Sequence, residues 1–146
     1  VENVMKSGVG AGTGSTTTSA LALGLAAGAL ERLQAEADKR PDLQEIIESI
    51  AGEQNETSAA MHELTMPSMA DFTPRLTAEE IRQRANSIVL RATQAYLAAS
   101  KGAGFVAGHP AERLVREAMF FLVWSCPQPV LEGVIDEFVC RSGLNA

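Results

Sequence analysis

The sequence predicts an all-helical fold, namely an antiparallel four-helix bundle with an additional C-terminal helix. Alanine and leucine are abundant while aromatic residues make up only 5% of the chain, a composition that favours packed helices over sheets. Apolar residues recur three and four positions apart in several stretches, and the connections between these stretches are of modest length. Because 146 residues suffice for one domain with its own core, we expect a single bundle over residues 15–146.

Residues 1–14 form a glycine-rich opening segment. Gly8, Gly10, Gly12 and Gly14 alternate with small residues and run directly into a predicted helix. A loop of this kind before a helix can cradle a phosphate, but no buried strand precedes it and no P-loop lysine follows. We therefore favour a flexible lead into the first helix over a phosphate-binding loop.

The first two helices are predicted over residues 15–39 and 41–64. Arg40 and Pro41 end the first, and the second restarts at Pro41. Each has one apolar face. These faces comprise Leu23, Ala26, Leu30, Leu33 and Ala37 in the first helix, and Leu43, Ile46, Ile47, Ile50, Thr57, Met61 and Leu64 in the second. His62 lies near the second face, where a ligand or general-base role is open but a packed or surface histidine is the more common outcome.

Three further helices are predicted after a proline-containing loop. The third begins at a capping box formed by Thr77 and Glu80 and ends at the Lys101-Gly102 pair; its apolar seam consists of Ile81, Ala85, Ile88, Ala92, Tyr96 and Ala99. The fourth covers residues 110–124, with Pro110 at the first helical position and Pro127 ending it. A fifth covers residues 129–141, with Val130, Val134, Ile135 and Phe138 as its apolar residues.

Charge and cysteine content restrict the classes of function. The net charge is −6 and no basic cluster is visible, which argues against a nucleic-acid partner. The two cysteines, Cys126 and Cys140, are too few for a disulfide scaffold and fit no zinc spacing, so we expect a reducing, cytoplasmic compartment and no metal site. No apolar run is long enough to span a membrane.

A glycine-rich turn followed by a helix with two arginines is the most distinctive motif in the chain. Its residues are Gly102, Gly104, Phe105, Pro110, Arg113, Arg116, Glu117 and Ala118. The motif resembles the closing signature of the acyl-CoA dehydrogenases, in which a G-G-x-G-F loop leads into P-x-x-R-x-x-R-D-A, with Glu117 here in place of the aspartate. The opening residues Val1 to Val4 also resemble the strand end that closes the middle β-domain of that family. The resemblance thus implies the C-terminal helical domain of such a protein, starting at a domain boundary.

The resemblance implies flavin chemistry on an acyl-CoA thioester, with FAD as the cofactor of the full-length protein. In that family a glutamate removes the α-proton while flavin N5 accepts the β-hydride. Ser125 stands at the position of this catalytic glutamate and is not expected to act as a base. The other location that the family uses falls near Gly14 or Ser15, so neither place holds a carboxylate.

The same resemblance assigns the cofactor-binding segment to Lys101, Gly102, Ala103, Gly104 and Phe105, whose backbone N–H groups would face a pyrophosphate. Other residues that contact the flavin in the family are replaced in this sequence. Arg40, Pro41, Asp42 and Leu43 replace an R-x-x-F-G segment, and Ala98 and Pro127 replace a glutamine and a threonine. We therefore expect no flavin on this chain alone.

Arg113, Arg116 and Trp124 are assigned structural or interface roles. The two arginines can pair with Glu112 and Glu117 and hold neighbouring helices or subunits together, a structural role that the resemblance also favours. The apolar run that ends at Trp124 is either core or a subunit contact. The resemblance implies self-association as a homodimer or tetramer.

Two functions remain open from the sequence. One is a divergent acyl-CoA dehydrogenase-like oxidoreductase, represented by a domain that is inactive alone. The other is a non-enzymatic helical bundle kept for oligomerisation or ligand binding, which the missing glutamate, glutamine and threonine favour. The retained glycine turn favours the first.

Overall fold

The computed structural model describes residues 16–65, 73–124 and 128–139, and this part of the chain is helical without any strand. The prediction of an all-helical protein is therefore confirmed. The helices are α1 (Thr16–Ala37), α2 (Gln44–Thr65), α3 (Ala78–Ser100), α4 (Pro110–Ala118), α5 (Phe120–Val123) and α6 (Gln128–Phe138), with 3-10 turns at Pro41–Leu43 and Lys101–Phe105.

Helix α3 lies at the centre and packs against α1, α2, α4 and α6. Side-chain contacts give the helix directions. Gln54 of α2 donates to the Leu23 carbonyl of α1, 31 positions earlier, at 3.1 Å, while Gln34 and Gln44 join the opposite ends of these two helices at 3.1 Å. The first two helices therefore run in opposite directions.

The remaining helices are oriented by contacts with α3. Tyr96 near the end of α3 stacks on His109 before α4, whereas Asn86 and Arg82 further back contact Phe121 and Trp124, so the segment of α4 and α5 runs against α3. Gln83 contacts Pro129 and Ser87 contacts Glu137. Helix α6 therefore runs in the same direction as α3.

Most of the core comes from the faces that the periodicity predicted in α1 and α3, and residues of α2, α4 and α5 complete it. All five predicted residues of α1 and all six of α3 are buried, and Ala22, Ala26 and Ala29 are fully covered. Because alanines give α1 a slim face, α3 can approach it closely. The predicted face of α2 is buried in part, with Ile46 left exposed.

Several predicted boundaries and faces are corrected. The fourth predicted helix is interrupted at Met119, which separates α4 from α5. The second begins with a 3-10 turn at Pro41–Leu43, and the α-helix itself starts at Gln44. Of the four apolar residues noted in the last helix, Val130 and Val134 are buried and Ile135 and Phe138 are exposed, since α6 contacts the bundle on one narrow side.

Some predictions fall outside the described residues. They concern the glycine-rich segment 1–14, Ser125, Cys126, Pro127, Cys140 and residues 141–146. The predictions for these positions stay predictions.

The N-terminus of α3 confirms the predicted capping box. The Thr77 hydroxyl accepts a hydrogen bond from the Glu80 N–H at 3.2 Å, and the Glu80 carboxylate accepts one from the Thr77 N–H at 2.7 Å. The hydrogen bond from the Thr77 N–H lowers the pKa of the Glu80 carboxyl below its ordinary value. The two hydrogen bonds of the capping box satisfy N–H groups that a helix start otherwise leaves without partners.

We predict that Thr77→Ala lowers the free energy of unfolding by about 1 kcal/mol, the usual cost of losing an N-cap side chain. Thr73→Ala, which alters an exposed threonine outside any helix, is the matched control and should change the stability little. Urea unfolding followed by circular dichroism measures both. Equal stability of the two variants would contradict the role of the cap.

Candidate functional site

The turn Lys101–Phe105 carries the predicted cofactor segment and has an unusual backbone. Lys101 has φ 52° and ψ −143°, and it is the one non-glycine residue with positive φ in the described part of the chain. A side chain in this region of backbone space is strained by about 1–3 kcal/mol. The strained residue is therefore Lys101 and not Gly102, which the sequence had suggested as the residue that stops the helix.

The two glycines of this turn differ in their surroundings. Gly104 is buried, and a Cβ there would lie 2.7 Å from Leu97 Cδ1 and 3.2 Å from Ser100 Cβ, so glycine lets the turn pack closely on the end of α3 without displacing these side chains. A Cβ at Gly102 would meet nothing within 4 Å. Internal packing thus explains Gly104, whereas the space over Gly102 is open.

The chain then passes directly into α4. Gly108 has φ +88°, and His109 is the N-cap residue, its Nδ1 accepting a hydrogen bond from the Ala111 N–H at 3.2 Å. The His109 ring stacks on Tyr96 with a centroid distance of 6.1 Å. His109 is therefore a structural residue that fixes the start of α4.

A second turn lies at the same end of the bundle. Arg40 precedes the 3-10 turn Pro41–Leu43 and forms an ion pair with Asp42 at 2.8 Å. The Arg40 hydrogen bond lowers the pKa of the Asp42 carboxyl below its ordinary value, and the charge of Lys101 lowers it further. The Lys101 and Arg40 cations thus act on the same carboxylate, although they are far apart in sequence.

A groove of about 160 Å³ lies beside the Pro41–Leu43 turn, against the last turns of α3, and is lined by Leu33, Arg40, Leu43, Ile46, Ala95, Ala98 and Ala99. Its walls are apolar except for Arg40. Ala98, which stands where the family has a glutamine, lies in this groove. The place that resemblance links to a flavin contact is therefore small and apolar here.

The types of residue at this end of the bundle suit the phosphates and a base of a dinucleotide. Lys101 and Arg40 supply positive charge, residues 101–103 are exposed, and the Phe105 ring is 76% exposed. Phosphates are attracted to such cations, and an exposed ring can stack on a base. Asp42 pairs with Arg40 and feels the charge of Lys101; its own negative charge opposes an anion, so we expect weak binding.

The other predicted site residues are separate from this end. Arg113 pairs with Glu117 at 3.4 Å and Arg116 with Glu112 at 3.0 Å, both pairs being exposed and within α4. These arginines therefore stabilise their own helix and form no ion pair with another helix among the described residues. Trp124 is 57% exposed and stacks on Phe120 at 5.2 Å. Ser125 lies outside the described residues.

Sequence analysis missed a set of buried polar residues on α3. Arg82, Asn86 and Thr93 are all fully buried. Arg82 Nη2 donates to the Trp124 carbonyl at 3.0 Å and Asn86 Nδ2 to the Phe121 carbonyl at 3.1 Å. The sequence contains an indication of this burial, because Arg82 and Asn86 lie one helical turn apart and each directly follows a residue of the apolar seam.

Arg91 joins three helices in a polar groove of about 440 Å³ between α2, α3 and α6. Its guanidinium donates twice to the Glu53 carboxylate, at 2.8 Å through Nη1, and once to Ser87 Oγ at 3.1 Å. Ser87 in turn donates to Glu137 of α6 at 2.7 Å. The Arg91 hydrogen bonds lower the pKa of the Glu53 carboxyl below its ordinary value.

Other kinds of site find no support in the described residues. In residues 16–65, 73–124 and 128–139, no group of three His, Cys, Asp or Glu side chains is placed to hold a metal ion. His62 is exposed on α2. Over the same ranges, none of the helices combines the length and apolar character needed to cross a bilayer.

Comparison of the chain with protein-family models, with curated proteins and with solved structures gave no match. The likeness to acyl-CoA dehydrogenases therefore depends on the residues of the glycine turn and of α4.

We predict a pH-dependent contribution from the pair of Glu53 and Arg91. Because its pKa is lower in the folded chain, Glu53 stabilises the fold at pH values above the ordinary glutamate pKa of about 4.3, and this stabilisation is lost as the pH falls through the lowered pKa. Both side chains are more than a third exposed, so we expect Glu53→Gln to cost roughly 0.5–1 kcal/mol at pH 7.

The measurement is urea unfolding at several pH values between pH 7 and pH 3. The control is Glu45→Gln, which removes an exposed carboxylate of the same helix that has no ion pair among the described contacts. The deficit of Glu53→Gln should shrink at low pH. A deficit that stays constant over this range would contradict the assignment.

Proposed function

We propose that this chain is the C-terminal helical domain of an acyl-CoA dehydrogenase-like flavoprotein that acts on acyl-CoA thioesters, with the usual catalytic glutamate missing. One observation carries the proposal. The two segments that the resemblance connects with a dinucleotide, around Arg40 and around Lys101, lie at one end of the helices although 61 positions separate these two residues in the sequence.

The arrangement of α3, α4 and α5 supports the same assignment. The bundle would correspond to that of the dehydrogenase domain, with α1 to α4 as its four helices and α6 as the additional C-terminal helix. The turn Lys101–Phe105 leads straight from α3 into α4, which carries Arg113 and Arg116 in the order of the family motif.

The residues at this end would hold the diphosphate of FAD, and the flavin of that cofactor accepts hydride when it is bound. Lys101 and Arg40 would contribute charge to the phosphates, and the open backbone at Gly102 would let a ligand approach. Removal of a proton is not assigned to any residue, because Ser125 replaces the glutamate. The role of this domain is therefore cofactor contact and assembly.

A non-enzymatic function is the second candidate. The observation that favours it is an apolar groove of about 360 Å³ between α1 and α5, lined by Leu21, Leu25, Glu117, Phe120 and Phe121. Next to it Met119, Val123 and Trp124 are exposed. A contiguous apolar surface of this kind is typical of an interaction site, either for another copy of the chain or for an acyl-CoA ligand.

We predict that the purified chain retains no stoichiometric flavin after incubation with excess FAD, which the visible spectrum checks. At millimolar FAD, however, amide NMR shifts should change at Arg40, Asp42 and Leu43 and at residues 101–105; Pro41 has no amide hydrogen. Arg40→Gln combined with Lys101→Gln should abolish these shift changes, because the phosphates lose their cations.

The matched control combines Arg113→Gln with Arg116→Gln, which removes the same charge from α4. This variant should retain the shift changes. Shift changes that appear elsewhere on the chain, or that both double variants lose equally, would contradict the proposal that FAD contacts the end of the bundle with Arg40 and Lys101.

We also predict that the chain self-associates through the surface of Leu21, Phe120 and Trp124. Replacing Phe120 and Trp124 by Ser and Gln, respectively, should shift the population to monomer in analytical ultracentrifugation, because the apolar area removed from water would be lost. Replacing the exposed pair Ile135 and Phe138 on α6 by the same residues is the control. A wild-type chain that stays monomeric at high micromolar concentration would refute this prediction.

A further inference from the structure

We propose that the groove beside the Pro41–Leu43 turn binds the anion of a small carboxylic acid whose apolar body is about the size of a benzene ring. The end of α1, the start of α2 and the last turns of α3 form this groove. Among its lining residues Arg40 is the polar one, and the others are leucine, isoleucine and alanine. Apolar walls with one polar group that fixes the orientation of the ligand are typical of small-molecule sites.

The apolar part of the groove has a buried floor and an exposed rim. Its lining residues Leu33, Leu43 and Ala99 are buried. At the rim Ala98 is exposed and Ile46 is 45% exposed. A ligand in the groove therefore contacts a floor that the protein has already closed, and it removes the exposed isoleucine from water, which is favourable.

The volume of the groove limits the apolar body of the ligand. It is about 160 Å³. An engineered apolar cavity of about 150 Å³ holds one benzene molecule, so a single aromatic ring fills a space of this size. A rigid aromatic acid such as benzoate matches the volume and loses little conformational freedom when it binds.

Arg40 supplies the positive group for the carboxylate. Its Nη2 donates to the Asp42 carboxylate at 2.8 Å, and this is the one hydrogen bond of its guanidinium group among the described contacts. A guanidinium has five N–H donors in a planar fork, so donors remain for a ligand. Two parallel hydrogen bonds from such a fork to one carboxylate are a strong and specific arrangement.

The same walls favour a carboxylate over a phosphate inside the groove. A carboxylate has two oxygen atoms, both of which the Arg40 fork can satisfy. A phosphate group would bring further oxygen atoms, and the apolar side chains around Arg40 offer them no donor. Burial of polar atoms without hydrogen bonds is costly, so the walls select the smaller acceptor.

Asp42 reduces the affinity of the site but also orients Arg40. Its carboxylate is exposed and its negative charge opposes a second anion, although water and salt screen exposed charges. The ion pair with Arg40 holds the guanidinium in one place, so that less side-chain freedom is lost when a ligand binds. We therefore expect specific binding in the millimolar range.

The test is an NMR titration of the full chain with benzoate and with benzamide, an uncharged molecule of nearly the same shape. Benzoate should shift the amide signals of Ala95, Ala98 and Ala99. Arg40→Gln should weaken benzoate binding about tenfold, because a hydrogen bond to a charged group is lost. It should leave the weaker binding of benzamide unchanged. Lys39→Gln is the matched control, since it removes the same charge from an adjacent exposed residue outside the groove, and it should retain the wild-type affinity.

A second variant tests the groove without altering any charge. Ala98→Leu places a larger side chain at the exposed rim and should abolish benzoate binding, because it fills the space that the ring would occupy. Ala35→Leu makes the same change at an exposed alanine of α1 outside the groove. This control should bind benzoate like the wild-type chain.

Three results would overturn the inference. They are benzoate shifts confined to other parts of the chain, equal benzoate affinities of Arg40→Gln and Lys39→Gln, and benzoate binding that Ala98→Leu leaves intact. If Arg40→Gln does not fold, the two ligands decide in the wild-type chain. Tighter binding of benzoate than of benzamide at the groove would support the role of Arg40, and equal affinities would overturn it.

Failure of this inference is distinguishable from failure of the proposed function, beyond which it goes. FAD contacts are expected at the exposed turn of residues 101–105, whereas benzoate shifts are expected at Ala95, Ala98 and Ala99 of α3. Benzoate binding without any FAD contact would support the groove and refute the dinucleotide proposal. FAD contacts without benzoate binding would do the reverse.

Discussion

The arrangement of the other helices depends on the burial of α3 around most of its circumference. Its predicted seam covers one side, and Arg82, Asn86, Val89, Leu90 and Thr93 extend the buried surface well beyond that seam. Four helices pack on this surface. Because α3 is enclosed, its polar side chains must find partners inside the protein, and these partners orient α5.

The fold could be predicted from the sequence where local chemistry decides it. Periodic apolar residues located α1 and α3, a Thr77–Glu80 capping box located the start of α3, and Pro110 located the start of α4. The break at Met119 could not be predicted, because no local breaker residue marks it. The Met119 carbonyl accepts from the Leu122 N–H, and the contacts from α3 lie further along, at the carbonyls of Phe121 and Trp124.

The candidate site could be predicted less well. The resemblance pointed to the turn Lys101–Phe105 and to the segment at Arg40, but that both lie at one end of the bundle follows only from the packing of the helices. Periodicity also predicted a narrow seam on α3, since Arg82 and Asn86 count as polar in any hydrophobic pattern. These side chains are buried because they donate to the carbonyl groups of Trp124 and Phe121, and a hydrophobicity pattern does not reveal such partners.

Helix α6 shows what a limited contact area means for the dynamics of the molecule. It contributes two buried side chains, Val130 and Val134, and a few polar contacts to α3, whereas α1 and α3 share a long apolar face. Units with so few buried contacts open locally at much lower free energy than the whole domain. Amide hydrogens of α6 should therefore exchange with solvent through local opening, while those of α3 exchange only when the whole core unfolds.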